Sequence, residues 1–249
     1  MPSHTDPERD QIEEFPEDWS RALAILPHPD DMEYTGAAAV ARWTDHGKQV
    51  SYLLLTSGEA GIDSLDPKEC AAIRQSEQRA SAEIVGVDTL EFLDYPDGTI
   101  EYGLPLRQTL AAAIRRHQPD LVIAVNHRET YYGTILNMAD HRVVGLATID
   151  AVKDAANRWI FTELRDAGLE PWHGVRYLAI VESPQPTHAV DVTDTFDRGV
   201  EALRQHGAYL RGLGQATAAD PETFLRSAME ATAARFNGRL AVAFELYRL

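Results

Sequence analysis

Pro27-His28-Pro29-Asp30-Asp31-Met32-Glu33 follows an unbroken apolar run, Ala22-Leu23-Ala24-Ile25-Leu26, and precedes a helical pattern that starts near Thr35. The apolar run reads as a strand over 21–26, and the polar stretch as a strand exit feeding a helix. Open α/β sheets gather their chemistry at such carboxyl ends. An imidazole and two adjacent carboxylates at one exit can do two jobs: His28 and one aspartate hold a metal ion, and the other aspartate moves a proton. Helix capping accounts for an acid at this place but does not call for the histidine as well. The stretch points to a metallohydrolase.

Working outward, strand and helix signals alternate. Strands are expected at 49–56, 89–93, 121–125, 177–183 and 189–192, with a last one over 240–249. Helices are expected at 35–46, 67–85, 105–117, 140–156, 158–167, 195–210 and 221–236. Asp66-Pro67 opens the second of these with a capping acid followed by proline at the first helical position. Leu121-Val122-Ile123-Ala124-Val125 is apolar throughout, as suits a central strand buried on both faces. The pattern predicts an α/β fold, a Rossmann-like, mostly parallel sheet with helices on both faces. Residues 1–18 hold seven acids against one arginine and are expected to form a loose acidic arm. Residues 19–249 read as a single domain.

Composition narrows the function. The net charge of −16 argues against nucleic acid as a partner, because a basic face dominates that affinity. No apolar run approaches the roughly 18 residues of a membrane helix, and the first residues lack the basic start and apolar core of a secretory signal. The expectation is a cytoplasmic protein without a membrane partner. Assembly into a homo-oligomer is compatible with the composition. The single cysteine, Cys70, rules out an internal disulfide and a cysteine-based zinc cage. No Gly-x-Gly-x-x-Gly follows the first strand, so nucleotide binding has no support.

A second short motif, Met138-Ala139-Asp140-His141, opens the helix expected at 140–156. Together with the first motif it resembles the LmbE-like, or PIG-L, family of zinc-dependent de-N-acetylases. These carry a His-x-Asp-Asp pattern after the first strand and a later Asp-His pair. The resemblance covers roughly residues 20 to 210. It implies that His28, Asp31 and His141 hold Zn2+, that Asp30 is the general base, and that the partner is a small N-acetylated molecule of the N-acetylglucosamine type. It further implies substrate contact for Arg74, in Arg74-Gln75-Ser76-Glu77, and a sugar pocket shaped by loops that include Glu59 and Asp97. The alternatives are an amidase of a larger amide, such as a thiol conjugate, and a metal- or sugar-binding protein without catalysis. Asp30 counts against the last.

One departure stands out. The family pattern usually reads His-x-Asp-His, and Met138 occupies the first histidine's place. A thioether donates no hydrogen bond. The donor for the carbonyl oxygen is therefore expected from the preceding loop, with His127 the first choice as a catalytic residue and Tyr131 or Tyr132 the alternatives. The other histidines, His4, His46, His117, His173, His188 and His206, show no ligand spacing and are left outside the metal site.

Overall fold

The computed structural model describes residues 11–213 and 220–249. Among them eight strands form one sheet: β1 Glu13–Glu14, β2 Arg21–Leu26, β3 Gln49–Leu54, β4 Thr89–Phe92, β5 Leu121–Ala124, β6 Tyr177–Val181, β7 His188–Asp191 and β8 Ala241–Arg248. Their order is β1-β7-β8-β6-β5-β2-β3-β4. β2 pairs in parallel with both β3 and β5, through Ala22↔Val50 and Ala22↔Leu121. The chain therefore winds outward from β2 in one direction through β3 and β4, and in the other through β5 and β6. The crevice at the carboxyl end of β2 and β5 is the topological switch point, where such sheets bind ligands. β8 runs antiparallel between β6 and β7.

Helices α1 Asp31–Thr35, α2 Ala37–Asp45, α3 Pro67–Ile84, α4 Leu104–His117, α5 Ala139–Ala156, α6 Thr162–Asp166, α7 Phe196–Arg204, α8 Gly207–Gly212 and α9 Pro221–Ala233 cover the sheet. Successive strand side chains point to opposite faces, and β2 supplies both cores. Ala22, Ala24 and Leu26 pack with Trp43 of α2, Val200 of α7 and Phe244 of β8. Leu23 and Ile25 pack with Leu110 and Ile114 of α4 and Ala147 and Ala151 of α5. A strand buried on both faces has no polar alternation, which is why β5 is apolar throughout and β2 is apolar after Arg21. The α3 start is as expected: Asp66 accepts from Lys68 N at 3.0 Å, with Pro67 in the first turn.

Four segments differ from expectation. Residues 11–18 do not hang loose: Ile12 and Phe15 are buried, β1 pairs with β7, and Phe15 packs against Trp43 and Phe244 at 5.3 and 5.1 Å between ring centroids. The rest of the expected arm, residues 1–10, lies outside the described residues. The first helix starts earlier, at Asp31, and breaks at Gly36. The segment expected at 158–167 is helical only in α6. The long helix expected at 195–210 is split after Arg204, with His206 at the start of α8.

Candidate active site

The exit of β2 folds so that its three polar side chains diverge. Asp31 begins α1, and its Oδ2 turns back to accept from His28 N at 2.8 Å, which leaves Oδ1 for other partners. Asp30 sits before the helix in a left-handed conformation (φ 86°, ψ −15°) and makes no side-chain capping bond. That conformation costs a residue with a Cβ of the order of 1–3 kcal/mol and persists where the surroundings over-determine it. Here Asp30 N donates to Gln78 Oε1 at 2.8 Å, and the other end of Gln78 donates to Glu33 Oε1 at 2.9 Å. One amide of α3 thus fixes both ends of the turn.

The α5 start brings His141 to the same place. Its Nε2 lies 3.0 Å from Asp31 Oδ1, yet the two do not have hydrogen-bond geometry, and Nε2 is buried without a hydrogen-bond partner. His28 Nδ1 lies 3.7 Å from the same oxygen. The ligand atoms of His28, Asp31 and His141 all fall within 4.8 Å of one another. Three buried ligand atoms that crowd one point with no hydrogen bond among them are arranged as a cation site requires. A second cluster, His28, Asp97 and Asp140, has the same compactness. Its Asp140 is already engaged, accepting from Gly98 N at 2.7 Å and Ile100 N at 3.1 Å. His28 Nε2 stands 3.1 Å from Asp97 Oδ1 and 3.3 Å from Asp140 Oδ2. This is the outer carboxylate brace that fixes an imidazole's orientation and tautomer. On the other imidazole, Tyr131 Oη meets His141 Nδ1 at 3.0 Å.

Asp30 has a different partner. Arg74 Nη2 is 3.1 Å from Asp30 Oδ1 and donates to Pro29 O at 2.6 Å, while Asp30 Oδ2 is buried without a partner. Arg74 reaches in from α3 over Gly58, where a Cβ would come within 2.2 Å of Nη1; with φ 63° as well, that position suits glycine alone. The Tyr209 ring of α8 lies 4.1 Å from the guanidinium carbon of Arg74.

The charges separate the two aspartates. Burial would raise the Asp31 carboxyl, but the His141 and His28 imidazoles outweigh it and hold it well below the usual carboxylate range. Burial pushes the Asp30 carboxyl up to about 7, against the pull of Arg74. Burial lowers His28 and its three carboxylates raise it, with a net upward shift. Burial and neighbouring charge thus move the two carboxyls in opposite directions, Asp31 downward and Asp30 upward.

These groups open into a cavity of about 410 Å³, whose lining includes Tyr34, Arg74, Asp97, Tyr131, Met138, Glu182 and Tyr209. His28, Asp30, Asp31, Arg74, Asp97, Tyr131 and His141, singled out from sequence, are brought together there. Three others are not. Glu59 is a brace, accepting from Asp97 N at 2.8 Å and Ser57 N at 3.3 Å, and does not line the cavity. Tyr132 is 59% exposed and lies off it. His127 is absent from the lining, whereas Tyr131, one of its two alternatives, is part of it. α5 packs closely on the chain beyond β5: a Cβ on Gly145 would come within 2.4 Å of Val125 O and 3.1 Å of His127 Cβ. Asp140, Glu182, Tyr34 and Tyr209 were missed. Asp140 had its motif as a signal, and Glu182 is the one acid in the expected strand 177–183; the tyrosines offered none.

A switch-point cavity of imidazoles and carboxylates in a mostly parallel sheet is the layout of the LmbE-like deacetylase fold, and the comparisons agree. The family model of GlcNAc-PI de-N-acetylase (PIG-L) matches residues 23–152. The chain belongs to this family. It is 31% identical over 191 residues to a diacetylchitobiose deacetylase of Thermococcus kodakarensis, covering 76% of this chain and 70% of that one. The N,N'-diacetylchitobiose deacetylase of Pyrococcus horikoshii, solved with its inhibitor, superposes with a TM-score of 0.84 at 28% identity, over 93% of this chain and 85% of that one. A shorter match, 36% identical over 85 residues, joins it to a 1D-myo-inositol 2-acetamido-2-deoxy-alpha-D-glucopyranoside deacetylase of Kineococcus radiotolerans, spanning 32% of this chain and 24% of that one.

Proposed function

We propose that the protein is a zinc-dependent N-deacetylase that removes the acetyl group from a small molecule containing an amino sugar. The observation that carries this reading is the convergence of His28, Asp31 and His141 beside the unpartnered Oδ2 of Asp30. Two imidazoles and one carboxylate suit Zn2+ and leave its fourth position for water. When bound, zinc supplies a Lewis acid for the acetamide carbonyl and lowers the pKa of water.

The chain's own residues account for the rest. Asp30 takes the proton of the attacking water on Oδ2 and returns it to the departing amine. Arg74 holds Oδ1, so Asp30 keeps one orientation through both transfers. Asp97 and Asp140 accept from His28 Nε2, which turns Nδ1 toward the cluster. If His141 Nδ1–H donates to Tyr131 Oη, the phenolic proton is free for the carbonyl oxygen as charge develops there. Such a donor would supply what Met138 lacks. The cavity volume lies at the lower end for small-molecule sites, which favours a compact substrate over a bulky conjugate.

The test is amine and acetate release, followed by mass spectrometry, from N-acetylated amino sugars and from larger amides, using zinc-loaded protein. Equal release of both products from the amino sugars supports the reading. Turnover confined to the larger amides would replace it with the amidase.

A further inference from the structure

We propose that Glu182 receives the hydroxyl groups flanking the acetamide of the substrate, and so selects sugars over plain acetamides. The proposal rests on the deacetylase reading and adds a specificity residue to it.

Glu182 lines the cavity, and among the described residues no group donates to its carboxylate. It belongs to neither compact ligand cluster, so it is not a fourth ligand by position. The proposed proton transfer does not use it. A carboxylate carries two oxygens that only accept, enough for two neighbouring hydroxyls at once. Burial pushes this carboxyl up to about 7, so donors arriving with a ligand meet a poorly solvated acceptor.

The backbone points the same way. Glu182 has φ 54°, a left-handed conformation that glycine would adopt without strain. Both neighbours are fixed. Val181 ends β6, and Ser183 Oγ lies 2.5 Å from Glu245 Oε2 and accepts from Arg128 Nη1 at 3.2 Å. The strained residue is thus held with its side chain in the cavity. Strand order sets it on the far flank from Arg74: Glu182 follows β6, beyond β5, whereas Arg74 rests on Gly58, which follows β3. A ring whose acetamide sits over the metal cluster would have Arg74 and Asp30 on one side and Glu182 on the other.

The experiment compares wild type, Glu182→Ala and Glu182→Gln on N-acetylglucosamine and on N-acetylcyclohexylamine, which lacks the hydroxyls. Loss of a charged acceptor is expected to lower kcat/KM for the sugar about tenfold or more in the alanine variant, through KM. Glutamine, with one acceptor left, should fall between. Turnover of the cyclohexyl amide should not change. A parallel loss on both substrates, or no loss on either, would overturn the proposal. Thermal unfolding of Glu182→Gly separates a structural role: its Tm should equal or exceed that of wild type, and a clear drop would count against the proposal. Calorimetric binding of N-acetylglucosamine keeps the test decisive without turnover. Weaker binding in Glu182→Ala supports the proposal, and equal binding, or none by wild type, overturns it. Absence of amine release from wild type would strike the deacetylase reading alone.

Discussion

At the scale of single residues, two adjacent aspartates have different surroundings and, in the proposed reaction, different tasks. Asp31 divides its oxygens between His28 N and the imidazole cluster, and Asp30 has one oxygen on Arg74 and the other buried without a partner. Asp30→Asn should therefore keep its metal and lose on the order of 10²- to 10⁴-fold in kcat, read from steady-state kinetics and elemental analysis of the same sample. In the proposed reaction Tyr131→Phe removes the donor to the carbonyl oxygen, and kcat should fall by about 10²- to 10³-fold with KM little changed. His127→Ala, by contrast, should leave kcat within a few-fold of wild type, because His127 does not line the cavity. A large kcat loss in His127→Ala with none in Tyr131→Phe would return the role to the histidine. The first motif was legible because its residues are contiguous and sit where a strand must end. The position of His127 was not, because which side chains of a loop line a cavity depends on tertiary packing.

At the scale of elements, the decisive contact is the approach of α5 to the chain beyond β5. Gly145 lets the α5 backbone rest on Val125 O, and the first turn of α5 carries Asp140 and His141. Gly145→Ala forces a Cβ into a backbone oxygen, which cannot rotate away. Overpacking of this kind costs about 1–3 kcal/mol. Denaturant unfolding should show that loss, and the displaced helix start should lower zinc occupancy as well. Wild-type stability in Gly145→Ala would mean that α5 does not bear on β5 in this way. The sequence pattern located α3, α4 and α5 well: α4 and α5 have apolar faces, and α3, whose buried face includes Arg74, Gln78 and Ser81, is marked by its Asp66-Pro67 start. It missed the break between α7 and α8, where the amphipathic pattern runs on although the chain turns at His206 to bring Tyr209 onto Arg74. It also missed β1, two residues long and too short for any period.

At the scale of the whole molecule, loops from distant parts of the chain meet at one edge of the sheet, and buried ion pairs hold them in register. Glu245 of β8 accepts from Arg128, beyond β5, at 2.6 and 2.8 Å and from Ser183, beyond β6. Burial would raise the Glu245 carboxyl, but its bonds to Arg128, Ser183 and Tyr247 outweigh this and hold it below its ordinary 4.5. A carboxyl depressed in the fold contributes stability that is present above about pH 4.5 and lost as pH falls through its folded value. Glu245→Gln should thus be less stable at pH 7, by about 1–3 kcal/mol, and its Tm should fall less steeply below pH 4.5. Parallel Tm profiles for the two proteins would exclude the pair as a source of acid sensitivity. The mostly parallel architecture followed from alternating strand and helix signals. The antiparallel insertion of β8 between β6 and β7 did not, because local sequence carries no information on pairing partners. The central claim joins this assembly to its chemistry: one zinc held by His28, Asp31 and His141 drives N-deacetylation. The most direct measurement is titration of metal-free protein with zinc while amine release from N-acetylglucosamine-type substrates is followed, for wild type and His141→Ala. Activity is expected to rise to a plateau at one equivalent in wild type and not to appear in His141→Ala. Full activity in metal-free protein, or an unchanged titration in His141→Ala, would contradict the central claim.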